Sequence, residues 1–307
     1  MTSVIVQDTA YLEALSGEFP DVDFIRLDAL TEPVEDERVG LIIGRPMPQD
    51  ASWMQLAKFA EYVHFTSTGY DELLPEWLEG RTLTTAKGTN SVPVAEFAVA
   101  CVLARVKNIP QVWEPDYRVF TQPLGTLQGA KVAVLGYGTV GRRIVEMLRP
   151  FTDQIAVFRR RPDDAPVDGV VFSDVVGDVL AGAAHVILAL ELTDDTRVVL
   201  DHARIGRLAP GAHVVNVGRA GLVDQDALLG AAREGRISLT LDVTAPEPLP
   251  LEHPLRDVGD ARLSPHVAWS GPQVVPNRIA LVIDNLRAWL TGGDLTNVVL
   301  MPADVSR

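Results

Sequence analysis

Cysteine is nearly absent from this chain of 307 residues, in which Cys101 is the only one. A single thiol cannot form an internal disulfide bond, so the fold has to be held by a packed core, and a reducing cytoplasm is the expected compartment. Cys101 lies in an apolar helical stretch, where the expected thiol is buried and chemically inert.

Positive charge is scarce as well. The chain carries 27 lysine and arginine residues against 41 aspartate and glutamate residues, a formal net charge of −14. Sequence-independent binding of nucleic acid needs a basic surface, and so does adhesion to an anionic membrane, so neither partner is expected. The sequence also lacks the roughly 18 consecutive apolar residues of a membrane-spanning helix and the basic start of a signal peptide.

The motifs of several enzyme classes are missing too. The sequence contains neither the G-x-S-x-G elbow of a serine hydrolase nor the G-x-x-x-x-G-K-[ST] loop of a nucleoside triphosphatase. The six histidines show no metal-ligand spacing, so no bound metal is expected.

The chain does contain a regular alternation of short apolar runs and helix-like segments. This pattern predicts an α/β protein with parallel sheets and helices on both faces. The apolar runs are residues 3–7, 24–28, 41–45, 62–67, 132–135, 154–158, 185–190, 212–217, 238–243 and 262–263, and a helix is predicted over residues 53–60.

One glycine pattern lies where a strand is expected to turn into a helix. Gly136, Gly138 and Gly141 match G-x-G-x-x-G directly after an apolar run. Gly136 permits the tight turn, Gly138 lets the backbone approach a pyrophosphate, and Gly141 lets helix and strand pack. Thr139 and Val140 open the helix, whose N-terminal N–H groups and dipole favour a phosphate. The motif therefore predicts a dinucleotide-binding site.

The same patterns divide the chain into two domains. A helix predicted over residues 91–106 crosses from the first to the second, and a C-terminal helix over about 273–290 can return to the first. We therefore expect a Rossmann-type doubly wound parallel sheet over residues 93–270. A smaller flavodoxin-like α/β domain is expected from residues 1–92 and 271–307.

Three ionisable residues follow successive predicted strands, namely Arg219, Glu247 and His266. Ligands bind outside the carboxyl ends of the strands in an open parallel sheet, so all three are expected to face one crevice. Each has an ordinary alternative, as a surface charge, a turn residue between two prolines, or a half-buried histidine. Together they can bind an anion, donate a proton and keep the donor protonated.

The chain resembles the D-isomer-specific 2-hydroxyacid dehydrogenases, and the likeness runs over most of its length. The similar blocks are TGYDEL at 68–73, NSVPVAEFAV at 90–99, LGYGTVG at 135–141, LTDDTRVVL at 192–200, NVGRAGLVDQDAL at 216–228, LDVTAPEPLP at 241–250 and SPHVAWS at 264–270. The resemblance implies an NAD(P)-dependent enzyme that reduces a small 2-oxo acid to the D-2-hydroxy acid, with glyoxylate and hydroxypyruvate as leading substrates. It also implies a homodimer.

Residue roles follow from the same resemblance. In that family the arginine of the N-x-x-R-G block binds the substrate carboxylate and carbonyl, the glutamate of the E-P dipeptide pairs with a histidine, and that histidine is the acid and base. These roles carry over onto Arg219, Glu247 and His266. Asp242 of the L-D-V block is expected near the nicotinamide carboxamide.

The resemblance also implies substrate contacts, and the chain departs from the family pattern at a few positions. The resemblance implies that backbone N–H groups at Thr68 and Gly69 bind the substrate carboxylate. Ala220 follows the arginine where the family has glycine, Glu191 replaces a proline close to the cofactor, and Trp269 is bulky enough to shape the substrate pocket. Anchoring of a domain interface is an equal alternative for Trp269.

The residues after the second strand of the dinucleotide domain predict a preference for NADPH, with NADH also accepted. A ribose 2′-hydroxyl is normally held by an Asp or Glu about 20 residues past the glycine motif. Here Arg159, Arg160 and Arg161 stand in that place, ahead of Asp163. Arg159 and Arg160 are predicted to pair with a 2′-phosphate. A solvated basic loop is the alternative.

Two other functions are compatible with the sequence. The same family includes formate and phosphite dehydrogenases, and a binding protein could keep the fold to sense dinucleotides without turnover. Retention of Arg219, Glu247 and His266 argues against the sensor.

Overall fold

The computed structural model describes residues 3–29, 39–44, 60–70, 80–113, 124–160 and 166–300. The chain divides into two compact units, Met1–Asn90 with Gly271–Arg307, and Ser91–Ser270. The helix predicted over residues 53–60 lies, except for Ala60, outside the described residues. Within the described part of the chain, no helix is both long and apolar enough to cross a membrane.

The first unit is built on a six-stranded sheet. Its strands are β1 (Ser3–Val6), β2 (Asp23–Arg26), β3 (Val39–Gly44), β4 (Tyr62–Phe65), β5 (Thr82–Thr85) and β13 (Val298–Leu300). Their order is β13-β5-β4-β3-β1-β2, with β13 antiparallel to β5 and the other pairs parallel. The sequence prediction missed β5, which is mostly threonine, and β13, a three-residue edge strand.

Two helices share a core with this sheet. Thr9–Glu18 begins after Asp8, whose carboxylate accepts a hydrogen bond from the backbone N–H two residues further on. The second helix, Val274–Thr291, comes from the C-terminal part of the chain. Leu15 of the first helix and Leu286 of the second are fully buried in one apolar cluster. The C-terminal helix thus belongs to the unit formed by the first ninety residues.

The second unit contains a seven-stranded parallel sheet. Its strands are β6 (Val132–Leu135), β7 (Ile155–Phe158), β8 (Val170–Ser173), β9 (His185–Leu188), β10 (Ala212–Asn216), β11 (Ile237–Leu241) and β12 (Ala261–Leu263). The order is β12-β11-β10-β9-β6-β7-β8, so the direction of winding reverses between β6 and β9. This arrangement confirms the predicted Rossmann-type sheet and places its ligand-binding edge at the ends of these two strands.

Helices cover both faces of the second sheet. They are Ser91–Val106, Thr139–Leu148, Val176–Leu180, His202–Ile205 and Gln225–Arg233. Side chains alternate along each strand, so Val134 packs with Ile144 on one face while Leu135 packs with Leu180 on the other. The sequence prediction missed β8, an edge strand that is only partly buried and whose apolar run is just three residues long.

Two buried histidines lie side by side on this sheet. His185 of β9 and His213 of β10 are paired in register, and their ring centroids are 5.9 Å apart. Burial lowers the pKa of His185 to about 4 and the pKa of His213 to about 3. Both side chains are therefore neutral at physiological pH.

From these pKa values we expect the protein to lose stability in mild acid. In the unfolded chain both histidines regain pKa values near 6.5, so their burial costs no stability above that pH. The free energy of unfolding then decreases as the pH falls from 6.5 towards 4. We expect each histidine to cost roughly 1–2 kcal/mol of unfolding free energy at pH 5. Urea unfolding at pH 7.5 and pH 5 measures this.

The double variant His185→Gln/His213→Asn is expected to show a flatter pH dependence than the wild type. His202→Gln, at an exposed histidine of the same unit, is the matched control and should leave the dependence unchanged. An equally steep dependence in the double variant and the wild type would contradict the assignment.

Candidate functional site

The glycine loop follows β6 at the edge where the winding reverses. Gly136 has a φ of 111°, and a Cβ there would lie 2.5 Å from the carbonyl oxygen of Ala189. A Cβ on Gly141 would lie 2.0 Å from the carbonyl oxygen of Gly136. Both glycines are thus required by close backbone packing. A Cβ on Gly138 would meet no atom within 4 Å, so glycine leaves that side of the loop open for a phosphate.

The helix Thr139–Leu148 starts directly from this loop. Gly138 occupies its N-cap position and supplies no side-chain hydrogen bond to the first turn. The N–H groups at this end of the helix, including those of Thr139 and Val140, form the positive end of the helix dipole, which binds phosphate. The loop and the helix start therefore fit the pyrophosphate of a dinucleotide.

The arginines predicted near a 2′-phosphate occupy different environments. Arg159 is only 8% exposed, and its guanidinium carbon lies 4.0 Å from the ring centroid of Phe172. Arg160 is exposed, with Nη1 lying 3.4 Å from Oδ2 of Asp195. Arg161 and Asp163 lie outside the described residues. Arg159 is therefore held by packing, whereas Arg160 is a solvated ion-pair partner.

Glu247 and His266 contact each other at the ends of two neighbouring strands. Glu247 follows β11, and His266 follows β12, which pairs with β11 in parallel. Oε1 of Glu247 lies 2.6 Å from Nδ1 of His266. Both side chains are partly exposed, at 41% and 35%. Because Nδ1 faces the carboxylate, Nε2 is the nitrogen that points away from it.

Asp242 holds the loop that carries His266. This aspartate is 2% exposed, and its Oδ1 accepts hydrogen bonds from Ser264 Oγ at 2.6 Å and from the Val267 N–H at 2.9 Å. Its Oδ2 accepts from the Ala268 N–H at 2.9 Å. The Asp242 carbonyl accepts from the His266 N–H at 2.9 Å, and His266 has a left-handed φ of 54°. Asp242 thereby stabilises a backbone conformation that a non-glycine residue rarely adopts.

Arg219 sits in a turn that a buried asparagine organises. Asn216, the last residue of β10, donates from Nδ2 to the Arg219 carbonyl at 2.9 Å and accepts from the Gly218 N–H at 3.0 Å. Nη1 of Arg219 also donates to the Gly218 carbonyl at 2.9 Å. The following residues, Ala220–Leu222, form a short 3₁₀ helix. The backbone of this turn is thus held by Asn216, with a further hydrogen bond from the Arg219 side chain.

The loop that carries Glu247 is supported by Gln225, the first residue of the helix Gln225–Arg233. Its side-chain amide donates to the Ala245 carbonyl at 2.7 Å and accepts from the Ala245 N–H at 3.1 Å. Thr244 Oγ1 donates to the Pro246 carbonyl at 3.0 Å. These bonds fix the two residues that precede Glu247.

The remaining residues singled out in the sequence are Thr68, Gly69, Trp269 and Cys101. Thr68 and Gly69 follow β4 in the first unit, where Ser67 Oγ donates to the Gly69 carbonyl at 3.0 Å. Trp269 follows the loop held by Asp242 and is 38% exposed. Cys101 is half-buried, and burial raises the pKa of its thiol to about 12, as expected for an inert thiol.

The sequence analysis missed three polar residues that position the site: Asn216, Gln225 and Ser264. Asn216 carried a visible signal, since it is a polar residue near the end of a mostly apolar strand run and lies three residues ahead of the arginine. Gln225 and Ser264 carried none, because their partners lie about 20 residues away along the chain.

Comparison with known proteins adds an independent finding. The model of the NAD-binding domain of the D-isomer specific 2-hydroxyacid dehydrogenases matches residues 103–268. A glyoxylate reductase of Thermofilum pendens is 27% identical over 258 residues, which cover 79% of this chain and 76% of that protein. A mitochondrial formate dehydrogenase of Solanum tuberosum is 29% identical over 199 residues, 62% of this chain and 52% of that protein.

A solved structure is similar over almost the whole length. It is a D-isomer specific 2-hydroxyacid dehydrogenase from Xanthobacter autotrophicus, in complex with NADPH and MES. The two chains superpose with a TM-score of 0.82 at 25% identity, covering 97% of this chain and 98% of the other.

Proposed function

This chain belongs to the D-isomer-specific 2-hydroxyacid dehydrogenases, which are NAD(P)-dependent oxidoreductases, and from that premise we propose that it reduces a small 2-oxo acid of the glyoxylate or hydroxypyruvate type. The observation that carries the proposal is the 2.6 Å contact between His266 and Glu247 at the carboxyl edge of the Rossmann sheet. A bound reduced nicotinamide would supply the hydride.

His266 is the proposed acid. Its protonated imidazole donates a proton to the carbonyl oxygen of the 2-oxo acid through Nε2, since Nδ1 contacts Glu247. Glu247 contacts Nδ1 and thereby orients the ring. Asp242 keeps the loop of His266 in place, and we also propose that it lies beside the nicotinamide carboxamide.

Arg219 is the proposed partner of the substrate carboxylate. A guanidinium offers two parallel N–H groups to a carboxylate and polarises an adjacent carbonyl. Asn216 supports this role because it fixes the Arg219 backbone. Backbone N–H groups at Thr68 and Gly69 are proposed to bind the same carboxylate, and Trp269 to limit the size of the substrate. A homodimer is part of the proposal on the family resemblance.

Steady-state assays with a substrate panel test the proposed function. NADPH oxidation is measured with glyoxylate, hydroxypyruvate, pyruvate and a bulky aromatic 2-oxo acid, and NADP reduction is measured with formate and phosphite. We expect the highest kcat/KM for glyoxylate or hydroxypyruvate. A higher value for formate would favour the second candidate, which the 29% identical formate dehydrogenase supports. Cofactor binding without any turnover would contradict both.

A preference for NADPH over NADH is the second part of the proposal. Charge-assisted contacts to a 2′-phosphate contribute roughly 1.5–3 kcal/mol each, so kcat/KM with NADPH is expected to exceed that with NADH about tenfold to a hundredfold. Arg159→Asp is expected to reverse this ratio, since aspartate accepts a hydrogen bond from a ribose 2′-hydroxyl. The measurement is kcat/KM for both cofactors in each protein.

Arg143→Asp is the matched control for this charge reversal. Arg143 is exposed on the helix Thr139–Leu148 and is paired with Glu146 at 2.9 Å. Its replacement should leave the cofactor ratio unchanged. Equal kcat/KM values in the wild type would remove the preference, and an unshifted ratio in Arg159→Asp would mean that Arg159 does not select the cofactor.

A further inference from the structure

Two aromatic side chains and two arginines form a stack next to the glycine loop. The rings of Tyr137 and Phe172 meet edge to face, with centroids 4.8 Å apart. The guanidinium carbon of Arg159 lies 4.0 Å from the centroid of Phe172 and 5.5 Å from that of Tyr137. The guanidinium carbon of Arg142 lies 4.6 Å from the centroid of Tyr137. We refer to these four residues as the aromatic-arginine stack.

The members of the stack come from separate elements that end at one place. Tyr137 stands between the first two glycines of the loop, and Arg142 lies in the helix that follows. Arg159 directly follows β7, and its N–H bonds to the carbonyl of Ser173, so the backbone beside it is an extension of the β7–β8 ladder. Phe172 belongs to β8 itself. Because β7 and β8 are neighbours, the ring of Phe172 lies beside the guanidinium of Arg159.

Stacking orients a guanidinium in a particular way. An aromatic ring attracts the flat face of the cation and uses none of its N–H donors, which lie in the plane of the group. The guanidinium carbons of Arg159 and Arg142 lie over these rings beside the dinucleotide loop, a placement that suits binding of a phosphate group on the adenosine ribose.

We propose that Tyr137 and Phe172 are positioning residues that set the cofactor preference by holding Arg159 and Arg142 for a 2′-phosphate. The inference rests on the proposed preference for NADPH and assigns that preference to residues that carry no charge. The two rings act on discrimination between cofactors and leave the chemical step alone. A purely structural role in packing β8 against the loop would instead affect both cofactors alike.

Ligand binding to the cofactor-free protein tests the proposal. Isothermal titration calorimetry gives the dissociation constants of adenosine 2′,5′-bisphosphate, which carries the 2′-phosphate, and of AMP, which lacks it. We expect Tyr137→Leu and Phe172→Leu each to weaken binding of the bisphosphate about fivefold to tenfold, the scale of one partly desolvated cation–π contact, and to change AMP binding less than twofold. Tyr137→Phe retains the ring and should behave as the wild type.

Val171→Ala is the matched control on the same strand. Val171 is 69% exposed on β8, and its replacement should leave both dissociation constants unchanged. Thermal midpoints show whether each variant is folded. If Phe172→Leu is not, Tyr137→Leu carries the test, because Tyr137 is a half-buried loop residue.

The possible failures can be told apart. A wild type that binds the bisphosphate and AMP equally would overturn the NADPH preference, and this inference with it. A wild type that discriminates, together with leucine variants that discriminate equally well or lose both ligands in equal proportion, would overturn the positioning role alone.

Discussion

Replacing His266 by alanine is expected to lower kcat for reduction of the 2-oxo acid by about 100- to 10,000-fold, the range that a positioned general acid contributes. KM is expected to stay within about threefold, because the imidazole acts mainly in the transition state. His202→Ala, at an exposed histidine of the same unit, should leave kcat unchanged. A His266→Ala enzyme with near-wild-type kcat would show that another group supplies the proton.

The variant Glu247→Gln separates the acid from its partner. Loss of the carboxylate that lies 2.6 Å from His266 removes the partner that holds Nδ1 and orients the imidazole. We therefore expect kcat for reduction to fall, while KM for the 2-oxo acid stays within about threefold. An unchanged kcat would contradict the pairing and leave the assignment of His266 standing.

Replacing Arg219 by alanine is expected to have the second large effect, on KM as well as on kcat. Two charge-assisted hydrogen bonds to a carboxylate contribute roughly 3–6 kcal/mol together, so kcat/KM is expected to fall by at least about 100-fold. Arg219→Lys should recover only part of the loss, since an ammonium cannot bind a carboxylate in the same bidentate way. The measurement is kcat and KM for the preferred 2-oxo acid.

The turn itself should survive this substitution, although it removes the hydrogen bond from Nη1 of Arg219 to the Gly218 carbonyl. Asn216 hydrogen-bonds the backbone on either side of the turn, at the Arg219 carbonyl and the Gly218 N–H, and neither bond involves the arginine side chain. Arg236→Ala is the matched control, at an exposed arginine paired with Glu234 at 2.7 Å. An Arg219→Ala enzyme with unchanged KM would rule out the carboxylate contact.

Asp242 has a structural role that its sequence motif does not indicate. The family resemblance directs attention to the cofactor, yet in this protein both carboxylate oxygens accept hydrogen bonds from the loop of residues 264–268. These bonds connect residues 22 to 26 positions apart. Periodicity and motif spacing describe the strands but carry no information on how two loops after neighbouring strands meet.

The consecutive arginines after β7 show the same dependence on contacts with distant residues. Three consecutive arginines in the sequence predict one basic site, but Arg159 is buried against Phe172 while Arg160 pairs with Asp195 in solvent. The difference arises from β8, the partly exposed edge strand that the sequence prediction missed. A residue's immediate environment depended here on a neighbour that the sequence analysis had missed.

By itself, the sequence determined the α/β class, the position of the dinucleotide loop and the order in which Arg219, Glu247 and His266 follow three strands. It could do so because periodicity and glycine spacing are local properties, and because parallel neighbours end at the same edge of a sheet. Only the tertiary structure decided that Glu247 reaches Nδ1 of His266 and that Arg159 lies on aromatic rings. Such contacts join residues distant in the chain, and their geometry is settled when strands pair and loops pack.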